Sequence, residues 1–150
     1  MDANSITTLA THFSKEIELA TQMIIEQRTK NNLVVALGPF IILGAIAANG
    51  HAISLVASFP RRALLALSSL FLVSYGALGY LSAQIELDLW MQANRWRREL
   101  ASLYGMNEDV FIFSPNGLVA TYVSIYLAIG LAFISMLFLI LWGHRRKISK

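Results

Sequence analysis

From residue 118 to residue 142 the chain runs for about 25 positions without a charged side chain, then meets His144, Arg145, Arg146 and Lys147. As a helix rising 1.5 Å per residue this stretch is ~37 Å long, enough to cross the ~30 Å hydrocarbon core of a bilayer with some tilt. That predicts a membrane span, and few soluble folds accommodate such a segment. A second regularity lies inside it. Ala120, Ser124, Ala128 and Ala132 recur every four residues, so a stripe of small side chains follows one side of the helix while larger apolar residues cover the rest. Stripes of this kind let helices pack closely, and the four residues are candidate packing positions.

Two further spans are expected. Apolar residues run from Leu33 to Ala48 and resume after Asn49, Gly50 and His51. A helix ending at Ala48 would be only ~24 Å long, so a continuous first span over 33–58 is predicted. Gly38 and Pro39 are a candidate kink, and Gly44, Ala48 and Ala52 repeat the small-residue spacing. The second span is expected over 63–83, with Pro60 in its first turn and Gly76 and Gly79 as a smooth patch, and a tight turn makes the two spans an antiparallel hairpin. Asn49 and His51 are the strongly polar side chains within the long first helix. They are candidates for lining an aqueous path or changing charge near neutral pH, or they stand at headgroup level close to Arg61 and Arg62.

The flanking segments read as amphipathic helix. Over 5–30, Ile6, Leu9, Phe13, Ile17, Ala20 and Ile24 follow spacings of three and four, with Lys15, Glu18, Gln22 and Glu26 on the other side. This helix has three possible resting places: the membrane surface, the segment after the second span, or copies of itself. After Gln84 the apolar spacing continues through Leu87, Trp90, Met91, Trp96, Leu100 and Leu103 among charged residues, predicting a polar or interfacial extension over 84–104 that Gly105 ends. Residues 110–113 alternate as if extended, and 115–117 are expected to turn the chain into the last span.

The whole is therefore read as one membrane domain, 1–150, an all-α integral membrane protein with three transmembrane helices and a basic tail at 143–150. Hydrophobic residues make up 56% of the chain and charged residues 14%, too apolar a balance for an ordinary soluble domain. There is no cysteine and no His-x-x-His or His-Glu-x-x-His spacing, so thiol chemistry is excluded and no metal or cofactor site is expected. The net charge of +3 is concentrated near the end of the chain, and Arg61, Arg62, Arg145, Arg146 and Lys147 are candidate contacts to lipid headgroups rather than to nucleic acid. Orientation stays open, because six lysines and arginines fall on each side of the three spans.

The run Glu26-Gln27-Arg28-Thr29-Lys30-Asn31-Asn32 entering a span, the tight hairpin, and the polar helix carrying Trp96-Arg97-Arg98-Glu99-Leu100 together resemble, in layout, small prokaryotic membrane proteins of the RipA and SLATT types over about residues 16–104. The resemblance implies a homo-oligomer whose soluble helices face the cytoplasm. SLATT-type members are regarded as membrane-perturbing effectors in bacterial conflict systems. The third span and basic tail depart from a two-span layout, and no functional residue is carried over.

No Asp, Glu, Lys or Arg falls within the three expected spans, and no nucleophile is placed beside a base, so catalysis is not expected. The function expected is that of a non-enzymatic oligomeric protein of a prokaryotic inner membrane, either a homo-oligomeric channel or a membrane-perturbing effector. The alternative is an accessory or scaffold subunit of a larger membrane complex. The expected partners are the lipid bilayer and either copies of itself or other membrane subunits.

Overall fold

The computed structural model describes residues 3–107 and 115–148, with backbone alone at 3, 31, 32, 147 and 148. The described residues form four helices and no strand: α1 (Ala3–Ala48), α2 (Gly50–Ser58), α3 (Arg61–Leu103) and α4 (Leu118–Ile148). Three of them, α1, α3 and α4, contain a stretch long and apolar enough to cross a membrane. The segment 110–113, expected to be extended, lies outside the described residues.

The chain divides into two compact units. Unit 1 comprises Met1–Lys30 with Ser82–Leu118, and unit 2 comprises Asn31–Leu81 with Val119–Lys150.

In unit 1 the N-terminal half of α1 packs on the C-terminal half of α3, which is one of the three placements its apolar face allows. Positions 10, 13, 17, 20, 24 and 27 of α1 are buried or half-buried, as are 83, 86, 90, 93, 97 and 100 of α3. Both series alternate steps of three and four, as in the seam of a coiled coil. The seam is lined with small residues: Ala10, Ala20, Ala83, Ala93 and Ala101 are all buried, which brings the helices close. Ile24, 2% exposed, is the largest fully buried apolar side chain there, its burial worth roughly 2–3 kcal/mol. The end of α3 is built as the glycine at 105 requires. Gly105 has φ +62°, Met106 N–H donates to Ala101 O at 3.0 Å and Gly105 N–H to Ser102 O at 3.2 Å, a Schellman closure of the last carbonyls.

In unit 2, α3 and α4 run antiparallel. A Cβ on Gly79 would stand 3.1 Å from the carbonyl oxygen of Tyr122 and from Tyr126, and one on Gly76 would stand 3.5 Å from Leu127. One on Gly130 would stand 3.1 Å from Leu72. Phe71 packs on Phe133 with ring centroids 4.8 Å apart. The face of α4 turned to α3 therefore carries Tyr122, Tyr126, Gly130, Phe133 and Leu141, all buried. The remaining surface of these helices is apolar and exposed, with Leu37, Ile41, Leu70, Val73, Leu131 and Leu139 among its largest members.

Pro39 sits inside α1, where it lacks the amide that would bond the carbonyl of Val35. That carbonyl is bonded from α3 instead: Tyr75 Oη donates to Val35 O at 3.3 Å. Here a broken rung in one helix becomes a cross-link to another.

The continuous first span over 33–58 is not formed. α1 ends at Ala48 and α2 begins at Gly50, with Asn49 between them at φ −107°, ψ 101°. The Asn49 Oδ1 accepts the amides of His51 (3.1 Å) and Ala52 (3.3 Å), so the side chain caps α2. Capping satisfies amides that a fresh helix start leaves without partners and is worth about 1 kcal/mol. The expectation weighed length alone and omitted this local competition. The last expected span, 118–142, lies within α4, which runs on through the basic residues to Ile148. Residues 115–117 turn as expected, with Gly117 at φ +81° and Leu118 N–H donating to Pro115 O at 3.1 Å.

Candidate functional site

The described residues offer two polar constellations, one in each unit. In unit 1 the centre is Glu86, which is fully buried. An isolated carboxylate cannot be buried at tolerable cost, so donors must converge on it. Arg28 Nε donates to Glu86 Oε1 at 2.9 Å, and Arg28 Nη2 donates to the same oxygen. Trp90 Nε1, one turn along α3, donates to it at 3.1 Å. The guanidinium of Arg97 lies 5.5 Å from the Trp90 ring centroid and donates from Nη1 to Asn94 Oδ1 at 3.3 Å. A polar ladder thus runs inside the alanine seam. Further along the same helix pair, Phe13 stacks on Trp96 at 5.5 Å and His12 meets that ring edge-on at 6.0 Å. Three donors on one oxygen of a fully buried carboxylate make a clasp between α1 and α3. Such a group has no open side from which to act on a substrate.

Glu26 and Lys30 form an ion pair on the outer side of α1. The Lys30 hydrogen bond, and then its charge, hold the Glu26 carboxyl below its ordinary range.

In unit 2 the polar groups gather where α2 meets the end of α4. Ser54 Oγ and His144 Nε2 are 3.3 Å apart, and Arg145 Nη2 donates to Ala57 O at 3.0 Å. The guanidinium of Arg146 lies 3.8 Å from the centroid of the Trp142 ring. Arg61 and Arg62 open α3 nearby in sequence, both exposed. Unit 2 holds six lysines and arginines and no aspartate or glutamate, whereas unit 1 holds six and all nine acids.

The candidate positions are distributed unevenly over this frame. Gly76 and Gly79 lie in the α3–α4 contact. Ala120, Ser124, Ala128 and Ala132 lie on an exposed face of α4, and Gly44 and Ala48 are exposed on α1. Asn49 is engaged as a cap, and His51 is exposed beside it. Arg61 and Arg145 line one cleft together, and the side chain of Lys147 is outside the described set. Among the described residues no three His, Asp or Glu side chains converge as metal ligands.

The inner glycine Gly130, the buried Tyr126 and the Arg28–Glu86 clasp were not anticipated from sequence. The signal for the clasp was present: in an antiparallel hairpin, an arginine just before the first span and a glutamate just after the second fall at the same level. No protein-family model, curated protein or solved structure matches this chain.

Proposed function

We propose that the chain is a non-enzymatic, multi-pass protein of a prokaryotic inner membrane that acts by assembling with itself, as a channel or a membrane-perturbing effector. The observation that carries this reading is the exposed face of α4 bearing Ala120, Ser124, Ala128 and Ala132. Within the chain, close helix contact is made at other small residues, Gly76, Gly79 and Gly130. In lipid, apolar side chains gain little from leaving the acyl chains, and helices associate through close packing at small residues. A small-residue face turned outward suits another helix better than it suits lipid, and the exposed Gly44 and Ala48 on α1 give the same outward smoothness. Ser124 is exposed on that same face.

Native mass spectrometry of the protein extracted from its own membrane tests the reading. A defined homo-oligomer is expected, reduced in size by Ala128→Leu combined with Ala132→Leu, because the larger side chains crowd the face. A monomer that is stable only when co-isolated with a different chain would replace self-assembly with the role of an accessory subunit. An oligomer of unchanged size in the double variant would remove the stripe from the mechanism. Leakage of dye from vesicles carrying the protein then separates a channel or effector from a silent assembly.

A further inference from the structure

We infer that unit 2 carries a site for an anionic phospholipid at the α3–α4 end nearest the basic residues, with the phosphate held by Arg61 and Arg145 and an acyl chain lying between the helices. The inference rests on the membrane reading above. Between the start of α3 and the end of α4 is a cleft of about 240 Å³, walled by Leu64, Phe138, Leu141 and Trp142 and bordered by both arginines. That is several times the ~30 Å³ share of one water, and its walls offer a water almost no partners. A second hollow of about 320 Å³ shares Leu64, Phe138 and Leu141 with it and extends along α3 to Phe71, so apolar lining continues away from the charged end.

Charge decides the occupant. Unit 2 has no aspartate or glutamate, so neither guanidinium has a carboxylate of its own unit to meet. Arg145 is anchored by one N–H to Ala57 O, which leaves the rest of its fork of donors to a ligand. Arginine forks match phosphate oxygens in geometry. A free phosphate would use the arginines and leave the apolar walls idle, and a zwitterionic lipid would use the walls while bringing its own cation beside the arginines. An anionic phospholipid uses both parts of the cleft. Trp142 is the side chain expected where headgroup meets hydrocarbon.

The test uses the full chain purified in mild detergent, offered phosphatidylglycerol, phosphatidylcholine with the same acyl chains, or inorganic phosphate. Bound lipid is read by native mass spectrometry and stability by thermal midpoint. Phosphatidylglycerol should remain bound and raise the midpoint, and the other two should do neither. Arg61→Gln with Arg145→Gln should weaken phosphatidylglycerol binding about twenty-five-fold, taking each basic side chain near an anionic surface as worth about fivefold. Arg95→Gln with Arg98→Gln, the same loss of charge in unit 1, should leave it unchanged. Leu65→Trp, at an exposed position of the cleft wall, should expel the lipid without touching either guanidinium, and it carries the test if the double arginine variant does not fold.

Equal retention of phosphatidylcholine, or full retention of phosphatidylglycerol by the arginine or tryptophan variant, overturns the inference. Stabilisation by inorganic phosphate alone replaces the lipid with a free anion, and a co-purified polypeptide lost on Arg61→Gln with Arg145→Gln replaces it with a protein. Failure of the wild-type chain to resist carbonate extraction from vesicles sinks the membrane reading itself, an outcome distinct from insertion without lipid selectivity.

Discussion

Units 1 and 2 solve the same problem, bringing two antiparallel helices into close contact, with different chemistry. Unit 1 uses alanines on both helices and threads a charged clasp through the seam, and its six basic residues share it with all nine acids of the chain. Unit 2 uses glycine against tyrosine, keeps its basic residues at one end, and contains no acid. On the membrane reading proposed above, the difference follows from solvent. Where water reaches the helix pair, apolar burial drives association and an ion pair can select the partner. Where the surroundings are themselves apolar, contact must come from shape and from single hydrogen bonds such as Tyr75 to Val35.

Arg28→Ala should divide the units most sharply. It strips a buried carboxylate of its cation, which costs ~3–5 kcal/mol for a fully buried pair. With the Arg28 side chain 46% exposed, the lower end applies. Hydrogen exchange should quicken over 5–30 and 84–103 while the glycine contacts of unit 2 keep their protection. Uniform loss of protection would mean that the units do not unfold separately.

In unit 2 the corresponding experiment is Gly79→Ala, whose new methyl group meets backbone as well as ring at 3.1 Å and should cost about 1–3 kcal/mol in a detergent unfolding titration. Gly76→Ala meets only the end of Leu127 at 3.5 Å and should be neutral or slightly stabilising through helix propensity. If the two variants behave alike, close approach at Gly79 is not what holds α3 to α4.

Tyr75→Phe removes one interhelical donor and should cost about 0.6 kcal/mol by the same titration, the average for such bonds between membrane helices, and no more than about 1.7 kcal/mol. An unchanged midpoint would mean that this hydrogen bond does not help hold α1 to α3 in unit 2.

The smallest effect is expected at Glu26. Its carboxyl is lowered by Lys30, so the pair stabilises α1 above the ordinary carboxylate value, and that contribution disappears as pH falls through the lowered one. Lys30→Ala should move the Glu26 titration, followed by NMR, back up towards the ordinary value, with little change in melting because the pair is exposed. A titration that does not move would assign the shift to something other than Lys30.

Several of these features were legible in the residues alone. The uncharged run that opens α4, the amphipathic spacing of Ile6 to Ile24 and the turn at Gly117 each rest on one dominant physical cue, and each falls within a helix or turn of the kind its cue predicts. The failures came where two cues competed. At Asn49 a span-length argument met a capping side chain, and the local bonds prevailed. At Glu86 the deciding neighbour, Arg28, lies 58 residues away on another helix, beyond the reach of spacing along one helix. On α4 the stripe from Ala120 to Ala132 drew attention from the neighbouring face, where Tyr122, Tyr126 and Gly130 make the contact within the chain. Spacing identifies a face but does not say what covers it.

Pro39 adds a constraint in time. The ribosome delivers Val35 forty residues ahead of Tyr75, its donor. If α1 crosses a membrane as proposed, then until α3 is made the oxygen left bare by the proline must keep a water or another donor, since acyl chains offer none. The apolar half of α1 thus cannot be completed without α3, and on the membrane reading the hairpin rather than the single helix is the smallest piece of this chain that a bilayer would fully satisfy.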